Sequence, residues 1–491
     1  MKFIVSAWMV ESARWLSRWI GQGMLFLTYW FVLFMTVAFP LYWFIPVPRV
    51  RRLVLLLACA VFHTHFAGPA GVLPIIFLGV ITYFAGLSRT RTACYSGIAL
   101  CAGSLVFYKY TKFICTAMIG KITPQLKTSL LEYQLPISLP SAVLAVSLLA
   151  IIVAIAGLKR KTFACGLGIA FGVTTLVFHQ HALALITAGF ESLPHEIQSS
   201  LLQRQSLPSL TAPLAISFFA FEFIHYLMEV SAGGPSIKDP LRFCLFSIFW
   251  PSIVAGPVKR YRDFLPALGV GVRSVDSQDV AVGIVRVARG IVKKFAADTL
   301  TAWVTHYGPH FSELDILWRW YFVAAISLRI LWDFSGYSDM AIGFARMYGI
   351  RLPENFNWPY LATSIVSFWH RWHISLSTWI RDYIYIRLGG SRCGTARKIA
   401  NGLLAFGICG LWHGAGWNFL FWGIYHGVGL AVASNYRTLL GESGEFVAKK
   451  LETHRQIGWV MTMLFVGVGW LFFFYPMPEA FKMLRLLFKV G

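Results

Sequence analysis

SIVSFWHRWHISLSTWIRDYIYIRLGG (364–390) and, after a short basic loop, NGLLAFGICGLWHGAGWNFLFWGIYHG (401–427) together decide how this chain is read. Two histidines, His373 and His413, stand there among Trp, Phe, Ile and Leu. An ionisable group in such surroundings is costly and needs a reason. The remainder of the chain reads as a scaffold that brings these two imidazoles together and lets two substrates reach them.

Working outward, the 491 residues are 57% hydrophobic, 16% aromatic and only 13% charged, with a mean hydropathy of +0.63. A soluble chain carries about a quarter charged residues. Apolar runs of membrane-spanning length recur along the sequence, so the fold class is all-α, a polytopic integral membrane protein. The net charge of +22 comes from short clusters between apolar runs, the pattern of the positive-inside rule. That distribution excludes nucleic-acid binding and suits anionic headgroups or a phosphate-bearing substrate. The eight cysteines include no CxxC, and most lie in apolar runs, so neither a zinc site nor a disulfide framework is expected.

Residues 1–22 have no cleavable-signal layout; Trp8, Trp15 and Trp19 beside Arg14 and Arg18 predict a helix lying at the membrane interface. Residues 23–210 are expected to be scaffold spans, 211–436 the catalytic core, and 437–491 a cytoplasmic loop, a last span and a short amphipathic tail. Spans are predicted near 24–47, 53–68, 72–88, 95–118, 138–158, 163–188, 212–230, 280–304, 316–335, 399–412, 416–436 and 457–475. Basic residues follow each odd-numbered early span, while the loop 189–210 is nearly free of them, which sets the N-terminus on the non-cytoplasmic side. Three stretches are too short or too polar to span: 243–257, 360–388 and 401–412. Such broken segments survive at membrane depth only when packed in protein or lining a wet cavity, so re-entrant segments around a central funnel are expected.

Near neutral pH an imidazole can take a hydroxyl proton and pass one to a leaving group. His413 sits at a break, Trp412-His413-Gly414-Ala415-Gly416, where absent side chains leave room for close approach. A metal site is not expected: His370 and His373 share a helical spacing, but no acidic ligand accompanies them and Asp382 lies too far along. Arg329 and Asp333 are spaced as an intramembrane ion pair, with Asp339 beyond the Ser335-Gly336-Tyr337 break. Glu222, His225 and Glu229 form one helical stripe, either a proton relay of an ion-coupled transporter or polar pins between helices. Arg387, Arg392, Arg397 and Lys398 either hold a donor's phosphates or reflect ordinary positive-inside bias. No GxSxG elbow marks a covalent acyl-enzyme, which leaves direct attack of a hydroxyl on a thioester as the simpler acyl-transfer scheme.

FWHRWHISLSTWIRDYIYIRLGG and GLWHGAGWNFLFWGIYHG resemble the two signatures of the membrane-bound O-acyltransferase (MBOAT) family. WPSIVAGPVKRYRDFLP (250–266), LWDFSGYSDMAIGFARMYGIRLPENFNWPY (331–360) and APLAISFFAFEFIHYLMEV (212–230) resemble its bacterial polysaccharide O-acetylation branch. The resemblance implies a helical membrane fold with about eleven spans around a funnel. It implies His413 as general base on an acceptor hydroxyl, with His373 orienting a group or polarising the thioester carbonyl. Trp372, Arg371, Trp412, Asp382, Asp333, Asp339 and Asn418 are then expected to line or support the passage. No bound cofactor is implied; acetyl-CoA or another acyl thioester is the donor substrate. The acceptor implied is an exported or surface polysaccharide of alginate, cellulose or peptidoglycan type, reached with a periplasmic acetyltransferase partner from the bacterial inner membrane. D-alanyl transfer from a carrier-protein thioester is the alternative within the family, and an ion-coupled secondary transporter the alternative outside it.

Overall fold

The computed structural model describes Phe26, residues 28–118 and residues 214–488. The interfacial helix expected over 1–22, the spans at 138–158 and 163–188 and the loop 189–210 lie outside the described residues. Every extended regular element among the described residues is helical: α1 (Tyr29–Phe44), α2 (Pro48–Ser88) and α3 (Arg91–Met118), then α4 (Ile216–Ser231), α5 (Pro240–Ile248) and α6 (Tyr261–Arg273). The long pair α7 (Ser277–Tyr307) and α8 (Ile316–Met347) precedes two short helices, α9 (Ile365–Trp369) and α10 (Ile374–Ile380), the second continuing into a π-helical turn at Arg381–Tyr385. The hairpin α11 (Thr395–His413) and α12 (Trp417–Leu440) leads to α13 (Glu442–Thr453), α14 (Arg455–Phe474) and α15 (Met477–Phe488).

Local chemistry starts several of these helices. Asp239, Asp276 and Asp315 cap α5, α7 and α8 by accepting from Leu241, Asp279 and Trp318 backbone N–H groups at 2.9, 2.7 and 2.9 Å. Each cap satisfies one of the donors that a helix start leaves open.

α7 and α8 run antiparallel and interlock at glycines. A Cβ built on Gly283 would lie 2.7 Å from the Gly343 carbonyl oxygen, and one on Gly290 2.6 Å from that of Gly336. The missing side chains let the two backbones touch, the small-residue packing that membrane helices favour. Across the same seam Asp339 meets Arg286 at 3.0 Å and Lys293 at 2.6 Å, Asp333 meets Lys294 at 2.5 Å, and Arg346 meets Asp279 at 2.6 Å. Two expectations change here. Ser335-Gly336-Tyr337 is no break, because Gly336 is the contact point with α7 and the helix runs through it. Arg329 and Asp333 do not pair with each other: Asp333 goes to Lys294, and Arg329 donates to Thr301 at 2.8 Å with its guanidinium over the Phe474 ring.

A third change is at α2. The spans expected at 53–68 and 72–88 form one continuous 41-residue helix. Pro74 sits within it, since an interior proline in a well-packed membrane helix costs one backbone bond that neighbours can offset. Two of the three expected broken stretches prove short, with 9 residues in α5, 5 in α9 and 7 in α10, whereas 401–412 lies inside the continuous 19-residue α11, which begins at Thr395 ahead of the apolar run.

By length and composition, Pro48–Ala67 and Arg455–Phe474 can each cross a membrane, and Tyr29–Phe44 and Pro74–Ser88 are apolar but shorter. Large apolar side chains face outward on α1 (Leu33, Val37), α7 (Val285, Val292), α12 (Val432) and α14 (Met461). A surface like that belongs against lipid rather than water.

Two cores divide the interior. One gathers α1–α6 and the end of α8 around Trp250, Phe62 and Phe344. The other gathers the start of α8 with α9–α12, α14 and α15 around Trp372, Trp412, Trp422 and Trp470. His373 and His413 lie in the second, among its aromatic rings.

Candidate active site

His373 is the residue just before α10, and its backbone is left-handed, with φ 40° and ψ 55°. For a side chain with a Cβ that conformation costs on the order of 1–3 kcal/mol and persists only where the surroundings impose it. Two backbone bonds do so: Ile374 N–H to the Asn355 carbonyl at 2.9 Å, and Asn357 N–H to the Arg371 carbonyl at 2.9 Å. The loop after α8 is thereby sewn to the α9–α10 junction.

Asn355, 1% exposed, is the hub of this seam. Its Oδ1 accepts from the Ser375 backbone N–H (3.3 Å) and the Ser375 hydroxyl (2.9 Å), and lies 3.0 Å from His373 Nδ1. Its Nδ2 donates to Ser338 Oγ at 3.1 Å. Ser375 Oγ in turn accepts from the Val258 N–H at 3.0 Å, so its own proton is free for Asn355. A backbone N–H can only donate, so the amide atom facing it is oxygen, and the imidazole nitrogen facing that oxygen must carry the proton. His373 is therefore an Nδ1–H tautomer when neutral. Its Nε2 keeps a lone pair, is buried and has no partner among the described residues.

His413 ends α11. Its ring centroid lies 6.5 Å from that of His373, with planes inclined 61°. The two imidazoles, forty positions apart in sequence, thus converge. Each ring nitrogen lies about 1 Å from its centroid, so no nitrogen of one ring comes nearer than about 4 Å to one of the other, too far to bond directly. Trp412, Trp422 and Phe473 hold the His413 ring edge-on at 4.8, 5.3 and 5.2 Å. His373 is closed in by Phe334 at 4.5 Å and Trp412 at 6.1 Å.

The break after His413 differs from expectation in one respect. Gly414 has extended backbone, and the space a Cβ would need is filled by the Phe419 ring, while Asn418 occupies the place beside Gly416. These glycines serve hairpin packing instead of leaving room for a substrate. Gly410 and Gly423 likewise let α11 and α12 close against each other's backbone.

The expected supporting residues divide. Trp412 touches both imidazoles, and Trp372 packs behind them on Trp470 at 4.9 Å and Phe356 at 5.1 Å. Asn418 pins α12 to α14 by donating to the Phe472 carbonyl at 3.2 Å. Arg371 contributes its backbone carbonyl to the seam. Asp382 pairs with Arg260 at 2.6 Å and Arg381 at 2.7 Å, and Asp333 and Asp339 belong to the α7–α8 seam; none of these contacts joins the three carboxylates to the imidazoles. Arg387, Arg392 and Arg397 are exposed, whereas Lys398 donates to Asn435 at 2.8 Å.

The stripe on α4 is fully engaged. Glu222 meets Lys259 at 2.6 Å with both side chains buried. His225 lies 3.2 Å from the Phe221 carbonyl and accepts from the Tyr261 N–H at 3.3 Å. Glu229 meets Arg262 at 2.6 Å and accepts from Tyr383 OH at 3.0 Å. That is the geometry of pins between helices. Among the described residues no group of three or more His, Cys, Asp or Glu is placed to hold a metal.

Sequence reasoning missed Asn355, Ser375 and Lys109. Asn355 sits in PENFNWPY, where a polar residue between Glu and Phe reads as ordinary loop. Lys109, inside an apolar run of α3, was the stronger signal, since a lysine there needs an acceptor.

A helical membrane chain with two converging imidazoles agrees with what comparison finds. Residues 93–477 match the membrane-bound O-acyltransferase family, and the chain belongs to it. It is an O-acyltransferase, and relatives similar to it are O-acetylases. A protein of Azotobacter vinelandii named "Probable alginate O-acetylase AlgI" is 32% identical over 413 residues, 83% of this chain and 76% of that protein. Its namesake in Pseudomonas aeruginosa is 37% identical over 332 residues, 66% of this chain and 60% of the relative. The "Peptidoglycan O-acetyltransferase" of Helicobacter pylori is 34% identical over 291 residues, 54% of each chain.

Proposed function

We propose that this protein moves an acetyl group from a cytoplasmic thioester, acetyl-CoA being the expected donor, toward hydroxyls of an exported or cell-surface polysaccharide. The observation that carries this reading is the 6.5 Å approach of His373 and His413 within an aromatic shell. One imidazole takes the proton of the attacking hydroxyl while the other holds the thioester carbonyl. General acid–base help of this kind contributes roughly 10²–10⁴-fold. The surrounding tryptophans restrict water, so the thioester is spent on the acceptor and not on hydrolysis.

The exposed Arg387, Arg392 and Arg397 meet the donor's phosphates on the cytoplasmic side of a bacterial inner membrane, with the N-terminus on the opposite face. About eleven crossings surround a funnel that leads to the pair from both sides. A periplasmic acetyltransferase partner hands the group to the polymer. Acetyl transfer is preferred to D-alanyl transfer on the names of the relatives above.

The test is mass analysis of exported glycans from cells carrying the wild type, His413→Ala or His373→Ala. Loss of acetyl esters at undiminished protein level in both variants supports the reading; normal esters in both overturn it.

A further inference from the structure

Trp358 combines a disfavoured backbone with an exposed side chain. Its φ is 46° and its ψ 55°, in the left-handed region, and the residue after it is Pro359. A side chain with a Cβ avoids that region, and a residue before proline is pushed further toward extended backbone. Such a conformation persists only where the surroundings impose it, and it gathers at functional positions. On one side the Asn357 N–H is held by the Arg371 carbonyl at 2.9 Å. On the other, the N–H groups of Leu361 and Ala362 close a tight turn onto the carbonyls of Trp358 and Pro359, at 3.1 Å each.

The protein gains no packing from this. Trp358 is 76% exposed, and among the described residues its indole makes no hydrogen bond or ring contact. An indole has much apolar area to bury and one N–H to satisfy, so its natural surroundings are half apolar and half wet.

The position of the loop says what provides them. Trp459 Nε1–H donates to the Tyr360 carbonyl at 2.8 Å, Trp470 Nε1–H donates to the Tyr360 hydroxyl at 3.0 Å, and Gly458 lets the Thr363 carbonyl come close. The loop is thus fastened to the start of α14, a helix long and apolar enough to cross a membrane. Trp459, about one turn in from Arg455, stands where the bilayer gives way to water. Trp459, Val460 and Met461 are exposed there, and Leu361, 62% exposed, continues that apolar surface onto the loop.

We propose that Trp358, with Leu361 and Trp459 beside it, is an interfacial anchor whose partner is the lipid surface. Its ring enters the boundary between headgroups and acyl chains of the leaflet at the start of α14, with the indole N–H left among the headgroups. Burial of the ring in lipid offsets the left-handed backbone that turns it outward. The anchor reaches the site through Asn357, whose N–H is bonded to the Arg371 carbonyl just before His373. The leaflet therefore steadies the loop that carries Asn355, the partner of His373. A planar ring can also stack on the adenine of a nucleotide-bearing donor. The lipid surface is preferred because the neighbours of Trp358 on this face are apolar.

The experiment uses the full chain, labelled with fluorotryptophan, in phosphatidylcholine nanodiscs without any donor. The fluorine resonance of Trp358 is identified by its loss in Trp358→Phe. Phosphatidylcholine spin-labelled near the top of its acyl chain is expected to broaden that resonance several-fold more than a water-soluble gadolinium chelate does; the reverse order, or no broadening by lipid, overturns the anchor. Trp358→Gly removes the ring and frees the backbone, so it should melt in detergent no lower than wild type. Clearly lower melting would mean that the indole packs within the protein, and would also overturn the proposal. KM for acetyl-CoA should be unchanged in Trp358→Ala. A several-fold rise, absent when acetyl-pantetheine replaces acetyl-CoA, would make the ring a platform for the donor's adenine and overturn the lipid assignment.

Discussion

The ammonium of Lys109 donates to the main-chain carbonyl of Trp412, the residue immediately before His413, and reaches Ser217 Oγ at 3.4 Å. Its neighbour Tyr110 donates to the carbonyl of Leu411. The last carbonyls of a helix have no intrahelical donors, and a cation there complements the negative end of the dipole. α3 therefore holds the end of α11, and with it the second imidazole.

Replacing Lys109 with Met should strip that carbonyl of its donor, cost about 1–3 kcal/mol and slow transfer several-fold by loosening His413. Lys109→Arg should retain most of both. Thermal unfolding in detergent and thiol release from acetyl-CoA measure the two effects, and a Met variant equal to wild type in each would mean the tie is dispensable.

Gly290→Leu should destabilise strongly, because its side chain has to displace the Gly336 backbone. Overpacking of this kind costs roughly 1–3 kcal/mol or more. Gly402 in α11 has nothing within 4 Å of a built Cβ, so Gly402→Ala should be neutral or gain up to about 1 kcal/mol. Melting temperatures of the two purified variants should move in opposite directions or only the first should move.

If Glu222 and Lys259 are a structural pin, Lys259→Met alone should cost about 3–5 kcal/mol by leaving a buried carboxylate unpaired. The Glu222→Gln/Lys259→Met double variant should recover much of that, along with acetyl transfer. A double variant that is stable but inactive would point back to a proton relay.

Arg387, Arg392 and Arg397 are exposed, so each contact to a donor phosphate is worth little, on the order of a twofold to fivefold rise in KM for acetyl-CoA on change to Ala. The effect should shrink as salt is raised. Lys398, tied to Asn435, should give a smaller change.

Much of this was legible in the sequence. Hydropathy located α1, α3, α4, α7, α11, α12 and α14 nearly to their ends, and the paired histidines stood out because imidazoles are rare in such company. What the sequence concealed was partnership across distance. Gly336 reads as a break until Gly290 is seen opposite it. Asp333 reads as the partner of Arg329, four residues back, because nothing local reveals Lys294 on another helix. Asn355 in a polar loop looks idle; its role follows only from where the loop is sewn.

That stitching between 355–357 and 371–374 has a mechanical meaning. His373 travels with the segment after α8, while His413 rides the tip of the α11–α12 hairpin. The gap between the rings is accordingly set where those two chain segments meet inside one aromatic core, and its width depends on how they seat in their lipid surroundings. Turnover should then respond to acyl-chain length in the host bilayer, making membrane thickness a setting of this enzyme's chemistry.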